Sequence, residues 1–303
     1  AITNDNSMYK HQARYLVLRR EPGLWASVLK EDNVHRRALI DQVTAVAVPE
    51  STNPEDVSTT VKAFMAADLP HELIKLLEPI VLQPSAFSDN RSLKNLLMLT
   101  AIRTDKAKVT GYIERLSGYD VDEIAKIAID HGLFEEAFQI YSRAGQNTDA
   151  MDVLVEHIVS IDRAQHFANK LNLPEIWSRL GKAQLDGLRV KDAMDSYVRA
   201  EDPSNFEEVI EIAERAGREE ELIRYLQMAR KLTREPKIDT EYAYCLAKAH
   251  RLSDMEEFLS MTNVADVLHV GEKCFNDGLY EASRLLFSSC LLYTSPSPRD
   301  KRQ

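Results

Sequence analysis

Between His131 and Gly145 the apolar residues Leu133, Phe134, Ala137, Ile140 and Tyr141 fall at i, i+1, i+4, i+7 and i+8, so they share one face of a helix. The same spacing recurs almost everywhere in segments of ten to fifteen residues, and no strand-like alternation persists. Helix starts are marked as well. Asn53-Pro54 and Asp202-Pro203 each read as a capping side chain before a proline at the first helical position. Ser253 and Glu256 have capping-box spacing. Pro79, inside the apolar run "LIKLLEPIVL", predicts a kinked or ended helix, because proline lacks the N–H the helix needs. Short helices with shorter connections predict antiparallel hairpins.

The hairpins repeat. Taking Ala137 as reference, equivalent core positions fall at Ala164, Ala193, Leu222, Met255 and Ser283, and backward at Val109 and Leu73. Apolar or aromatic pairs follow three and four residues on, as in Ile140/Tyr141, Phe258/Leu259 and Leu286/Phe287. A period near 30 residues with two helices per unit predicts an all-α solenoid, in which stacking completes a core that one hairpin cannot bury alone. "GLFEEAFQIY" from Gly132 and "GLYEASRLLF" from Gly278 match across 146 residues, five hairpins later. The expected organisation is therefore the end of one module over 1–103, a five-hairpin module over 104–249, and the start of a third over 250–289. Some ten such hairpins predict a rod on the order of 100 Å long. Bends are expected at 48–54, 83–90 and 232–239.

Composition narrows the function. A formal charge of −10 disfavours a nucleic-acid binder, and ten glycines in 303 residues suit helices better than sheets. Cys245, Cys274 and Cys290 have no close spacing and read as buried or idle thiols in a reducing setting. No apolar run reaches the ~20 residues a bilayer span needs. The opening "AITNDNSMYK" carries no targeting signal and reads as the middle of something longer.

Chemistry is sparse, and no catalytic, cofactor or metal residue is assigned. There is no glycine-rich phosphate loop, no G-x-S-x-G and no His-Glu-x-x-His. His157 and His166, nine residues apart, do not share a face well. Adjacent carboxylates (Glu135/Glu136, Glu207/Glu208, Glu219 to Glu221) point apart on one helix and read as solvated faces rather than acid–base pairs. Trp25 and Trp177 read as core. The basic stretch "MARKLTREPK", with Arg230, Lys231, Arg234 and Lys237, is read as a solvated helix end or as a dock for an acidic partner.

The stretches "VKAFMAADLPHELIKLLEPIVL", "NLLMLTAIRTDKAKVTGYIERL", "IAIDHGLFEEAFQIY", "VLVEHIVSIDRAQHFANKLNLPEIWSRLGKAQL" and "IRYLQMARK" closely resemble the leg of the clathrin heavy-chain family. The resemblance runs from about residue 2 to about residue 289 and suggests the end of the distal leg, the knee and the first part of the proximal leg. It implies a structural role, not an enzyme: leg length, curvature and leg–leg contacts in a coat on the cytoplasmic face of coated pits and vesicles, at the plasma membrane and trans-Golgi network. The implied partners are other heavy-chain legs and, at most, the start of a light-chain site, with no cofactor, no nucleic acid and no direct membrane insertion. The adaptor-binding and trimerisation regions are expected to lie outside this stretch. A tethering or sorting subunit built on the same repeat is the alternative. Two departures stand out: Pro79, where the family is expected to run an unbroken helix, and "LLYTSPSPRDKRQ", which loses the pattern and reads as a non-native tail over 290–303.

Overall fold

A computed structural model describes residues 8–48, 51 and 53–294. Among them lie nineteen α-helices and two five-residue π-helical turns, and no strand. The expected all-α solenoid of hairpins is what forms. By packing the chain divides into two units, 1–153 and 154–303.

In the first unit, α1 (Tyr9–Arg19), α2 (Pro22–Val28) and α3 (Arg36–Gln42) precede three hairpins. These are α4 (Pro54–Ala66) with α5 (Pro70–Leu82), α6 (Arg91–Thr104) with α7 (Lys106–Arg115), and α8 (Val121–Asp130) with α9 (Phe134–Ala144), followed by α10 (Asn147–Asp152). α6 packs on α8 and α7 on α9, so each hairpin stacks on the next.

In the second unit, α11 (Ile161–Leu171) precedes three more hairpins: α12 (Pro174–Asp186) with α13 (Val190–Ala200), α14 (Phe206–Ala216) with α15 (Glu219–Leu232), and α16 (Pro236–Lys248) with α17 (Leu252–Ser260). α18 (Val267–Asn276) and α19 (Tyr280–Thr294) complete it. Here too packing skips one helix, α13 on α15, α16 on α18 and α17 on α19.

All eight reference positions, Leu73, Val109, Ala137, Ala164, Ala193, Leu222, Met255 and Ser283, are buried. Each sits in a helix that follows a hairpin turn or stands at the equivalent place, α5, α7, α9, α11, α13, α15, α17 or α19. The turns share one geometry. At Gly132, Gly217 and Gly278 φ is +75°, +62° and +78°, and at Asp68, Leu188 and His250 it is +52°, +57° and +55°. At each, that residue and the next donate backward to carbonyls of the preceding helix, as Gly132 N does to Ile129 O and Leu133 N to Ala128 O. This is the left-handed Schellman closure, which satisfies the last orphan carbonyls and reverses the chain within three residues. Five residues after each such turn residue stands a reference position, so the turn sets the register of the buried face.

Three local expectations are corrected. Pro79 does not end its helix; α5 runs on through Leu82, so the proline stands in its last turn. Asp202-Pro203 does not open a helix: α14 begins at Phe206, and Asp202 instead accepts from the Ser204 N–H at 2.9 Å within a turn. Ser253 is already helical, and Arg251 Nε at the N-cap position donates to Asp254 Oδ2 at 2.5 Å. The Asn53 cap forms as read, its side chain accepting from Glu55 N at 3.0 Å. Pro49, Glu50 and Thr52, within the first expected bend, lie outside the described residues, as do residues 1–7 of the opening stretch and 295–303 of the tail. The backbone of 291–294 continues α19, while Cys290 and its successors have no described side chains.

Candidate functional site

Among the described residues, no three or more His, Cys, Asp and Glu are placed to hold a metal ion, and no helix is long and apolar enough to cross a membrane. His157 and His166 are both exposed. Trp25 and Trp177 are core, as read. Cys245 and Cys274 are free and buried, and burial pushes the Cys245 thiol up to about 12 and the Cys274 thiol up to about 11.

What the charged side chains do instead is clasp successive hairpins. Lys108 Nζ meets Glu78 Oε1 at 2.9 Å, Arg91 meets Asp120 at 2.6 Å, and Arg37 meets Glu72 at 3.0 Å. In the second unit Arg189 reaches Asp162 at 3.1 Å, Arg224 reaches Asp195 at 3.2 Å, Lys237 reaches Glu207 at 3.1 Å and Lys248 reaches Glu219 at 3.3 Å. The hydrogen-bonded pairs among these are separated by 27 to 35 positions, close to one repeat. The glutamates read as solvated faces are thus, at Glu207 and Glu219, cross-repeat partners. A hydrophobic-periodicity reading has no means of seeing this.

Two charged groupings lie lower in the fold, one half-buried around Glu78 and one buried around Asp239. Glu78 accepts from Lys108 and from the Tyr112 hydroxyl at 2.5 Å. Burial pushes the Glu78 carboxyl up, but those two donors more than offset it and hold it below the ordinary range. Desolvation and the Glu78 carboxylate together push the Tyr112 hydroxyl well above its ordinary value. In the second unit, buried Asp239 accepts from Arg230 Nε at 3.0 Å with one oxygen and from Val264 N at 3.0 Å with the other. The Arg230 guanidinium lies 4.4 Å above Phe258 and 5.1 Å above Tyr242, whose rings meet edge-on at 5.3 Å. Arg230 and Lys237 are therefore spent within the fold. Of the basic stretch, Lys231 and Arg234 remain on the exposed surface.

Nearby, Lys273 sits 3.6 Å over the Tyr244 ring and within 3.8 Å of Glu241 and 3.7 Å of Glu214, carboxylates from two earlier hairpins. Burial is the main cause that raises the Glu241 carboxyl, against the pull of Lys273. The arrangement reads as a mechanical element: an apolar spine inside, and charge pairs stitching repeat to repeat outside.

Comparison with known proteins gives this element a family. The model of the repeat region shared by clathrin and VPS proteins matches residues 48–192 and again 197–295. The chain belongs to the clathrin heavy-chain family. It is 56% identical over 288 residues to a probable clathrin heavy chain of Schizosaccharomyces pombe, covering 95% of this chain and 17% of that protein. It is 50% identical over 289 residues to the clathrin heavy chain of Drosophila melanogaster and 50% over 288 residues to human clathrin heavy chain 2. The chain thus spans about one-sixth of the length of the clathrin heavy chains it matches.

Proposed function

We propose that this chain is a leg segment of a clathrin coat scaffold, contributing length, curvature and leg–leg contact surface to a lattice that carries cargo in vesicles. The observation that carries this is the continuity of the likeness: about half of all positions are identical to clathrin heavy chains over 95% of the chain, through both matched regions. The clasped hairpins suit the task. A solenoid's stiffness is a sum of nearest-neighbour interfaces, so pairs placed at the repeat period resist bending wherever they occur. Its partners on this reading are other heavy-chain legs and, toward the C-terminal side, the beginning of a light-chain site, on the cytoplasmic face of coated pits and vesicles. Its module frame is 1–103, 104–249 and 250–289, with 290–303 as a non-native tail; the two family-model matches cut the same repeat at a different phase. A tethering or sorting subunit shares the repeat, but the likeness to clathrin heavy chains persists across both matches.

The test is replacement in cells. The 288 matching residues of the fission-yeast heavy chain are exchanged for those of this chain, and coat-dependent uptake of a membrane dye is followed. Uptake near the unmodified level is expected. A grafted heavy chain that accumulates normally yet leaves uptake at the level of a strain without heavy chain would contradict the proposal.

A further inference from the structure

A groove of about 580 Å³ lies between α2 and α4 in the first unit, in the size range of ligand pockets. Its floor is apolar, formed by Trp25 and Leu29 on one side and by Ala63 and Ala66 on the other. Small residues there let a bound backbone come close. Its rim carries Lys30, Arg36 and Lys62 against a single carboxylate, Glu31. Arg20 also lines it but is spent on Asp56 at 2.7 Å and on Glu55. The other three cations have no carboxylate partner among the described residues, on a chain whose net charge is −10. Two donors at the groove, Trp25 Nε1 and Arg36 Nε, are buried without an acceptor among the described residues. The site is rich in donors and positive charge and poor in acceptors, around an apolar floor.

We infer that this groove binds a short acidic segment of a partner protein, one that combines an apolar side chain with flanking carboxylates. Charge complementarity selects the acid: a cationic rim on an acidic protein attracts and orients carboxylates while repelling basic segments. The lining selects a peptide over a bare phosphate, since an inorganic anion would leave the exposed Pro22, Ala26 and Ala66 covered only by water, whereas an apolar side chain removes that surface from water. A nucleic acid does not fit, because three cations in one short groove cannot offset repulsion by the rest of the chain. The inference rests on the groove alone and not on the proposed function.

The experiment selects random twelve-residue peptides displayed on phage against the full 303-residue chain, with counter-selection against groove-filled variants. Ala66→Trp and Ala26→Trp each fill the groove from an exposed position, so one remains usable if the other fails to fold, as judged by circular dichroism. Enriched peptides with two or more carboxylates beside an apolar residue are expected. As synthetic peptides they should bind at least about tenfold more weakly to the filled variant, and to Lys62→Glu. No enrichment over the filled variant, or enrichment of basic or uncharged peptides, overturns the inference. So does binding that Lys62→Glu leaves unchanged. If inositol hexakisphosphate binds the groove while no acidic peptide is enriched, the site recognises phosphate and the inference is likewise wrong.

Discussion

Lys237 and Glu207 are 30 positions apart in the chain, and their side chains meet at 3.1 Å. The distance in sequence is one repeat, so the contact joins the first helices of neighbouring hairpins. Both side chains are more than half exposed, at 53% and 69%. Surface pairs of this kind contribute roughly 0.2–1 kcal/mol each, because water screens them and two long side chains must be ordered. Lys237→Met should therefore lower stability by less than about 1 kcal/mol, checked by urea unfolding at low and high salt, with the loss shrinking as salt rises.

The buried clasp behaves differently. Asp239 has a side chain only 9% exposed and holds Arg230 and the Val264 N–H at once. Asp239→Ala leaves a desolvated guanidinium and an unpaired backbone donor, a loss of about 3–5 kcal/mol. Asp239→Asn keeps an acceptor for Val264 N and should lose less. Equal losses in the two variants would mean that Val264 N gains nothing from the acceptor.

The hairpin turns supply a mirror-image pair. Leu188 holds φ +57° with its side chain 75% exposed, at the place where three other turns use glycine. Left-handed backbone costs a non-glycine residue about 1–2 kcal/mol, partly offset by the extra freedom glycine has when unfolded. Leu188→Gly should raise the melting temperature slightly, while Gly132→Ala should lower it by a stability loss of about 1 kcal/mol. Calorimetry on the two variants reads both signs.

These turns show how far the fold was legible in the sequence. The core register was readable because buried positions recur at a helical period, and all eight reference residues are indeed buried. Turn conformation was readable only at glycine; Asp68, Leu188 and His250 adopt it because helix packing on both sides demands the reversal. The Asp202-Pro203 and Ser253 cap readings failed because a local capping pattern competes with where stacking lets the helix begin. The candidate surfaces were least legible. Clasps join residues a repeat apart, and the groove rests on Trp25, which reads correctly as core yet lends a wall to a surface. Charges distant in sequence announce no pairing until the hairpins are stacked.

Close approach of helices adds a steric prediction. A methyl group placed on Gly271 would stand 2.7 Å from the Phe287 ring, closer than atoms tolerate. Gly271→Ala should cost about 1–3 kcal/mol by overpacking, despite alanine's better helix propensity. Adding Phe287→Leu should recover part of the loss, and a double-mutant cycle by urea unfolding measures it.

Acid should weaken the first unit's half-buried Glu78–Lys108 clasp. The folded Glu78 carboxyl titrates below its ordinary value near 4.5, so the unfolded chain takes up its proton first as pH falls. Its contribution is complete above that ordinary value and is lost as pH drops through the lower, folded one. The stability gap between the native chain and Glu78→Gln should accordingly be widest near neutral pH and narrow below about pH 4.5. A gap that widens on acidification would reverse the sign assigned to Glu78.

The proposed role as a coat-leg segment is tested most directly with purified protein. Fission-yeast heavy chain carrying this chain's residues in place of its own matching 288 is purified, brought to assembly conditions and imaged by electron microscopy. Closed cages like those of the unmodified protein are the predicted result. A grafted heavy chain that is folded and forms its normal soluble particle, yet yields no cages, would show that this chain cannot serve as leg in a lattice.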